Sequence, residues 1–362
     1  MTHQFQAGLR DVEAVESSIT AITPAGLFYR GVPLDECIER ATFEEVAFLL
    51  WQAARPSTEE LGSFRKTYAR AWVLPPDAVS AVQALPLGVE PLASLQAVVP
   101  LLAHSDPERV EQTAEGQVAR AIRILAQVPA TLACRHWGMP VARLDPATSL
   151  AAQVLRALGS KPIPPRVADA ALILFADHEL AASTFAARIA AAALSSAYDG
   201  LAAALAVLRG PLHGGSIADA AATLRQLVAA RELGPAIDVL LAERRRIPGF
   251  GHSVYRGGDP RAPHFRRLAE QIATGEARQW LETAVELERR VERERGLYAN
   301  VDLYAATFMH AAGLKDNAMV ALFAVARTAG WLAHIIEQQE NNRLIRPRAR
   351  YTGEIGRAWI SQ

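Results

Sequence analysis

The stretch from 165 to 209 constrains the fold most. It reads A-D-A-A-L-I-L-F-A-D-H-E-L-A-A-S-T-F-A-A-R-I-A-A-A-A-L through its middle, apolar nearly all round. A surface helix shows one apolar stripe, so a helix pair that is apolar on every face must sit at the centre of a helical protein. Into it are set Asp177, His178 and Glu179, three consecutive ionisable side chains at a plausible helix break. Burying such groups costs several kcal/mol unless they are paired or used, roughly the scale for buried charges. The triplet therefore either reaches water at a helix end or belongs to a site.

The rest of the chain carries the same helical punctuation. Thr42 with Glu45 and Ser57 with Glu60 read as capping boxes, and Asp106-Pro107, Asp145-Pro146 and Asp259-Pro260 read as an N-cap followed by proline at the first helical position. Between these marks run alanine- and leucine-rich helices with 3.6-residue spacing, about fifteen or more of them. No βαβ alternation appears. The one strand signal lies at residues 16 to 31, where two β-prone runs flank Pro24-Ala25-Gly26, predicting a small hairpin. The fold class is all-α. Charged helices appear from 215 to 300, an apolar helix returns over 301 to 338, and Arg327 lies in the middle of it. These changes near 215 and 313 predict one domain inserted in another, 215–313 within a larger unit of 1–214 and 314–362.

With 38 basic and 38 acidic residues among 362, no global field draws the chain to nucleic acid or an anionic membrane. Anion binding must come from local arginine clusters. Cys37 and Cys134 form no C-x-x-C pair. Their scarcity fits a reducing compartment, and with no leader-like apolar segment the expectation is a cytoplasmic protein.

Four places combine polar groups with unusual backbone: Asp177-His178-Glu179, G-P-L-H-G-G around His213, the loop I-P-G-F-G-H-S-V-Y-R-G-G-D-P-R from 247 to 261, and A-N-V-D ending at Asp302. Glycines at 249, 251, 257 and 258 allow positive φ and close approach to a ligand. His252 and Arg256 fall on that loop, and Arg261 falls on the first turn of the helix behind it. His213 precedes a helical run from Ser216, whose N-terminus would keep the ring neutral. Asp302 also has the context of an ordinary N-cap. An arginine as apolar in its surroundings as Arg327 needs a carboxylate from protein or ligand.

Three chemistries could use these groups. A metal site lacks H-x-x-x-H or H-E-x-x-H spacing, and a serine hydrolase lacks G-x-S-x-G. Acid/base carbon chemistry on an anionic substrate uses every group: a carboxylate abstracts a proton α to a carbonyl, a neutral histidine donates to the enolate, and arginines hold carboxylates.

These segments, together with G-L-F-Y-R-G, A-T-F-E-E-V-A-F-L-L and G-W-L-A-H-I-I-E-Q-Q-E-N-N-R-L-I-R-P-R, resemble the citrate synthase and 2-methylcitrate synthase family nearly end to end. The resemblance implies a two-domain helical homodimer and an acyltransferase that turns the acyl group into an alkyl one. It implies Asp302 as base toward acetyl-CoA, His213 as donor to the enolate oxygen, and His252 as acid toward oxaloacetate. His178, Arg261 and Arg327 match positions that bind oxaloacetate, and Arg346 matches an arginine given by the partner subunit. Gly249, Phe250 and Gly251 match the loop around the coenzyme A adenine, and Arg256 is placed to meet a phosphate. No metal or redox cofactor is implied; acetyl-CoA and CoA are co-substrate and product. The alternatives are propionyl-CoA as donor, giving 2-methylcitrate, and a diverged paralogue that binds CoA or a dicarboxylate without turnover. The chain departs from the family at Glu90, at Ala181 where asparagine is common, at Ser216-Ile217-Ala218 in place of Ala-Asn-Glu, and at Ser253 where arginine is frequent.

Overall fold

A computed structural model describes residues 6–9, 12–107, 113–136, 144–243, 245–357 and 359. Among the described residues there are sixteen α-helices and one small sheet. Strands β1 (Thr20–Thr23), β2 (Gly26–Tyr29) and β3 (Val32–Pro33) pair antiparallel in sequence order, with Thr20 opposite Tyr29 and Phe28 opposite Pro33. The predicted hairpin is present and gains a short third strand.

Helices α1 (Leu34–Arg40), α2 (Phe43–Gln52), α3 (Thr58–Ala71), α4 (Pro76–Ala84), α5 (Pro91–Leu102) and α6 (Ala114–His136) follow the sheet. Then come α7 (Leu150–Ala157), α8 (Pro165–Phe175), α9 (Ala182–Ala192) and α10 (Ala197–Leu208). The chain continues through α11 (Gly215–Val228), α12 (Leu233–Ala242), α13 (Ala262–Ile272), α14 (Glu276–Arg295), α15 (Val301–Ala311) and α16 (Asp316–Glu340). Both predicted capping boxes form, Thr42 with Glu45 ahead of α2 and Ser57 with Glu60 ahead of α3.

The three Asp-Pro signals do not start helices. Asp106 is buried and its carboxylate takes Arg123, Arg120 and the Tyr198 hydroxyl. Asp145 closes a turn through the Ala147 amide, and Ser149 caps α7 instead. Asp259 accepts from the Arg261 amide one turn before α13, so Arg261 itself occupies the N-cap position. In each case the carboxylate finds a stronger or nearer donor than a helix terminus offers.

The apolar pair at the centre is α8 and α9, as the sequence requires, and α16 runs through the same core. Alpha helix α16 is long and apolar enough to span a membrane, yet 94% of its most apolar window is buried inside the protein. It packs against α2, α5, α6, α8, α9 and α10 and also against α11. Helices α11 to α15 pack mainly on one another, α15 lying against α13, α11 and α14. What matters for the site is that three chain breaks converge: the α8–α9 break at 176–181, the turn before α11, and the loop between α12 and α13.

Candidate active site

A cleft of about 690 Å³ opens where these breaks meet the N-terminus of α15. His178, His213, His252, Arg261, Asp302 and Arg327 all line it, together with Phe250 and Gly251. Residues as far apart in sequence as 178 and 327 thus face one volume.

His178 lies in the break between α8 and α9, and Glu179 beside it takes left-handed backbone, φ 52°. Asp177 turns inward. It is fully buried and accepts from Thr20 Oγ1 at 2.6 Å, while the Tyr29 hydroxyl holds its carbonyl at 3.0 Å. Burial alone would raise the Asp177 carboxyl, but His334, Arg327 and the Thr20 hydroxyl together bring it below the ordinary value. His178 remains at the cleft, its Nε2 2.9 Å from the Tyr255 hydroxyl and its ring 5.3 Å from that of His252. Burial and the nearby Arg261 and Arg327 charges hold His178 well below the usual histidine pKa. Glu179 is exposed. The sequence triplet thus separates into a buried anchor, Asp177, and two residues that line the cleft, His178 and the more exposed Glu179.

His213 sits in the turn just before α11, and its Nε2 is 2.8 Å from Ser183 Oγ. That hydroxyl also accepts from Trp331 Nε1 at 3.2 Å. The His213 pKa is lowered to about 4, by burial first and Arg327 second. The ring is therefore neutral at pH 7, as expected, but desolvation rather than the helix terminus is the cause.

On the glycine loop, His252 Nδ1 accepts from the amides of Val254, at 3.0 Å, and Tyr255, at 3.3 Å. Two donors on Nδ1 leave the neutral ring's proton on Nε2. Burial, and after it Arg261, lower the His252 pKa against the opposing pull of Asp259. The loop is stitched to the strand-like segment before α15: Gly251 N donates to Tyr298 O, Asn300 N to Gly249 O, and Asn300 Nδ2 to Gly251 O, each at 2.9 Å. Gly249 has φ 86°, and a Cβ there would come within 3.0 Å of Leu303. Gly251 and Gly258 also have positive φ; Gly257 does not.

Asp302 lies on the first turn of α15, but Asn300 does the capping, its Oδ1 accepting from the Asp302 amide at 3.0 Å. Asp302 is thereby released from the local role the sequence allowed. Burial raises its carboxyl pKa, opposed by a hydrogen bond from Ser216 Oγ to Oδ2 and by Arg261.

Of the three arginines that line the cleft, Arg246, Arg261 and Arg327, the last two differ in their partners. Arg261 gives Nε and Nη2 to Asp259, at 3.0 and 2.8 Å, and Asp259 more than offsets the cost of burying its charge. Arg327 has no carboxylate partner among the described residues. Its Nε donates to Phe175 O at 2.7 Å and its guanidinium lies 4.7 Å from the Phe323 ring centre. Burial lowers its pKa to about 10, so it stays charged at neutral pH.

Not every expected residue reaches the cleft. Arg256 lines a separate, smaller pocket of about 170 Å³ that shares Gly251 and His252 with the cleft and is also lined by Tyr255 and Tyr298. Gly249 backs the loop against Leu303 and does not line the cleft. Arg346 lies in the exposed extended tail after α16, outside the cleft of its own chain. Among the departures, Ala181, Ser216, Ile217 and Ser253 line the cleft, whereas Glu90 pairs with Arg209 at 2.8 Å. Nothing in the sequence signals Ser183, Trp331, Tyr255, Asp259 or Arg246 as partners of the site, although Arg246 lines the cleft. Their relation to the histidines and Asp302 is tertiary, and no spacing signals it.

A family profile described as "Citrate synthase, C-terminal domain" matches residues 8–348. "Citrate synthase 2" of Bacillus subtilis is 38% identical over 355 residues, covering 96% of this chain and 95% of that protein. "2-methylcitrate synthase 2" of Corynebacterium glutamicum is 30% identical, covering 98% and 96%. A solved citrate synthase of the thermophilic archaeon Thermoplasma acidophilum, in ternary complex with carboxymethyl coenzyme A and oxaloacetate, superposes with a TM-score of 0.90. It is 30% identical and the match covers 99% of this chain and 98% of that one. By profile, sequence and fold, the chain belongs to the citrate synthase family.

Proposed function

We propose that the cleft condenses acetyl-CoA with oxaloacetate and hydrolyses the product thioester to citrate and CoA. The observation that carries this reading is the placement of the half-buried Asp302 carboxylate, the neutral His213 and His252, and the arginines Arg246, Arg261 and Arg327 around a single volume. Asp302 takes a proton from the thioester methyl group. With Trp331 donating to Ser183, the serine proton points at His213 Nε2, and the imidazole proton on Nδ1 is offered to the enolate oxygen. The enolate carbon then bonds to the ketone carbon of oxaloacetate, whose oxygen takes the proton from His252 Nε2. Water finally cleaves the acyl–sulfur bond, releasing the CoA thiol and a carboxylate.

Arg327, without a protein carboxylate, and the remaining donors of Arg261 bind the oxaloacetate carboxylates, with His178 beside them. The loop at 249 to 251 seats the CoA adenine, and Arg256 lies on the flank where a phosphate emerges. The unit 215–313 closes over the rest of the chain, which excludes water before the thioester is activated. Arg346 completes the site of a second copy in a homodimer; its place outside its own cleft supports that reading. We assign the protein to the cytoplasm on its cysteine usage.

Thiol release measured with oxaloacetate plus acetyl-CoA or propionyl-CoA tests the assignment. Faster release with acetyl-CoA is expected. Preference for propionyl-CoA would make it a 2-methylcitrate synthase, and no release with either would leave a binding protein. One methylene is worth only about 1–3 kcal/mol in an apolar pocket, so direct comparison is required.

A further inference from the structure

Asp302 has an unusual neighbour. Ser216, on the first turn of α11, is buried and its hydroxyl donates to Asp302 Oδ2. Helices α11 and α15 pack together, so two helix N-termini converge on this carboxylate. Oδ1 has no hydrogen-bond partner among the described residues, and Asp302 lines the cleft. The alanine common in the family at position 216 carries no such donor.

We propose that Ser216 is a positioning residue for the base: its hydroxyl pins Oδ2 of Asp302, presents Oδ1 to the substrate, and keeps the carboxylate ionised. The inference rests on the reading of Asp302 as the base. A carboxylate with one oxygen held has one fixed direction in which its other oxygen can accept a proton. A hydrogen bond to the ionised form also favours that form over the protonated acid. The influences on Asp302 agree, since burial pushes its pKa up and the Ser216 bond is the strongest of those pulling it down.

Other charges face Asp302 from the packed elements. Arg261 and Asp259 approach from the segment before α13, and Arg246 from the loop after α12. His213, in the turn before α11, and His252, on the glycine loop, line the same cleft and are neutral at pH 7. Glu288 of α14 is occupied by Tyr304 and Arg266. None of these is removed when Ser216 is changed, so a pH profile isolates the hydroxyl.

The rate needs Asp302 ionised and falls as pH drops through its pKa, giving kcat an acid limb. Removing the hydroxyl raises that pKa and must move the limb upward. In Ser216→Ala the limb is expected to shift by about one pH unit, the scale of one hydrogen bond to a charged group. On the limb this reads as roughly a tenfold loss of kcat. Oxaloacetate affinity, measured separately by calorimetry, should be unchanged, because the hydroxyl is committed to Asp302 Oδ2 rather than to the arginines that hold carboxylates; this also reports that the variant is folded. Ser216→Thr, which keeps the hydroxyl, should restore the wild-type limb. An alanine limb that superimposes on wild type, while Asp302→Asn is inactive, overturns the role of Ser216 alone. An active Asp302→Asn enzyme overturns the base assignment and this inference with it.

Discussion

At the scale of single residues, the site is legible as chemistry but not as geometry. The types were readable because a histidine between proline and glycines, or an arginine within an apolar helix, has few ordinary explanations. Which atom each would use was not, because that is set by contacts that exist only once the backbone is folded: the amides of Val254 and Tyr255 on His252 Nδ1, the distant Ser183 hydroxyl on His213, and Asn300 relieving Asp302 of capping. Two substitutions test the assignment. Asp302→Asn keeps shape and burial but cannot accept a proton, so kcat should fall by about 10²- to 10⁴-fold, the usual worth of a general base. Oxaloacetate binding should survive, and near-normal turnover would remove Asp302 from the mechanism. Arg327→Met removes a charge that is 1% exposed and has no carboxylate partner among the described residues. Burial of the charge is costly and the nearby Asp177 carboxylate offsets part of that cost, so apo stability should change by no more than about 1 kcal/mol. Oxaloacetate affinity should drop by about 10²-fold, corresponding to about 3 kcal/mol for a buried ligand carboxylate. A large fall in melting temperature with unchanged affinity would make Arg327 structural.

At the scale of elements, helices were readable where their signals are local and misread where a side chain had a better distant partner. Both capping boxes and the central apolar pair follow from neighbours within four residues, and the structure keeps them. Asp106 could not be read this way, because Arg120 and Arg123 on α6 and Tyr198 on α10 meet it only after folding. The central helix α16 shows the same dependence. Its apolar pattern predicts burial, but not the polar chain it carries inside: Arg188 Nε donates to His334 Nδ1 at 2.9 Å, and His334 Nε2 lies 3.4 Å from Asp177 Oδ2. Gly330 allows this contact. A Cβ there would meet Asp177 Oδ1 at 2.2 Å and Ala176 O at 2.4 Å. The clash is with backbone and with a fully buried carboxylate, neither of which can swing away. Gly330→Ala should therefore cost about 1–3 kcal/mol of stability, as overpacking does, read as a lower denaturant midpoint. Because the α8–α9 break also carries His178, the KM for oxaloacetate should rise in the same variant, whereas Ala329→Gly next to it should leave KM unchanged.

At the scale of the whole molecule, the arginine count raises a question a single chain does not answer. Oxaloacetate has two carboxylates, while of the three arginines lining the cleft, Arg246, Arg261 and Arg327, Arg261 already has its fork on Asp259. The remaining arginine expected at the site, Arg346, is on an extended exposed tail with Leu344, Tyr351 and Ile355 also exposed. A tail rich in exposed apolar and basic side chains is explained if it lies on a second copy and delivers Arg346 there. Isologous symmetry then gives two sites, each made of one chain's His213 and the other chain's Arg346. Mixing chains distinguishes this from a site built within one chain. Let Arg346→Ala and His213→Ala chains be co-expressed, each inactive alone. In a mixed dimer with shared sites, one site receives both defects and the other receives neither. Random pairing makes about half the dimers mixed, so roughly a quarter of wild-type activity should return, as the two-fold arrangement requires. If Arg346 served its own chain, each site of the mixed dimer would keep one defect and no activity would return. Purifying the mixed dimer through two different tags should raise the recovered activity to about half of wild type, since one intact site per dimer is then present in every molecule.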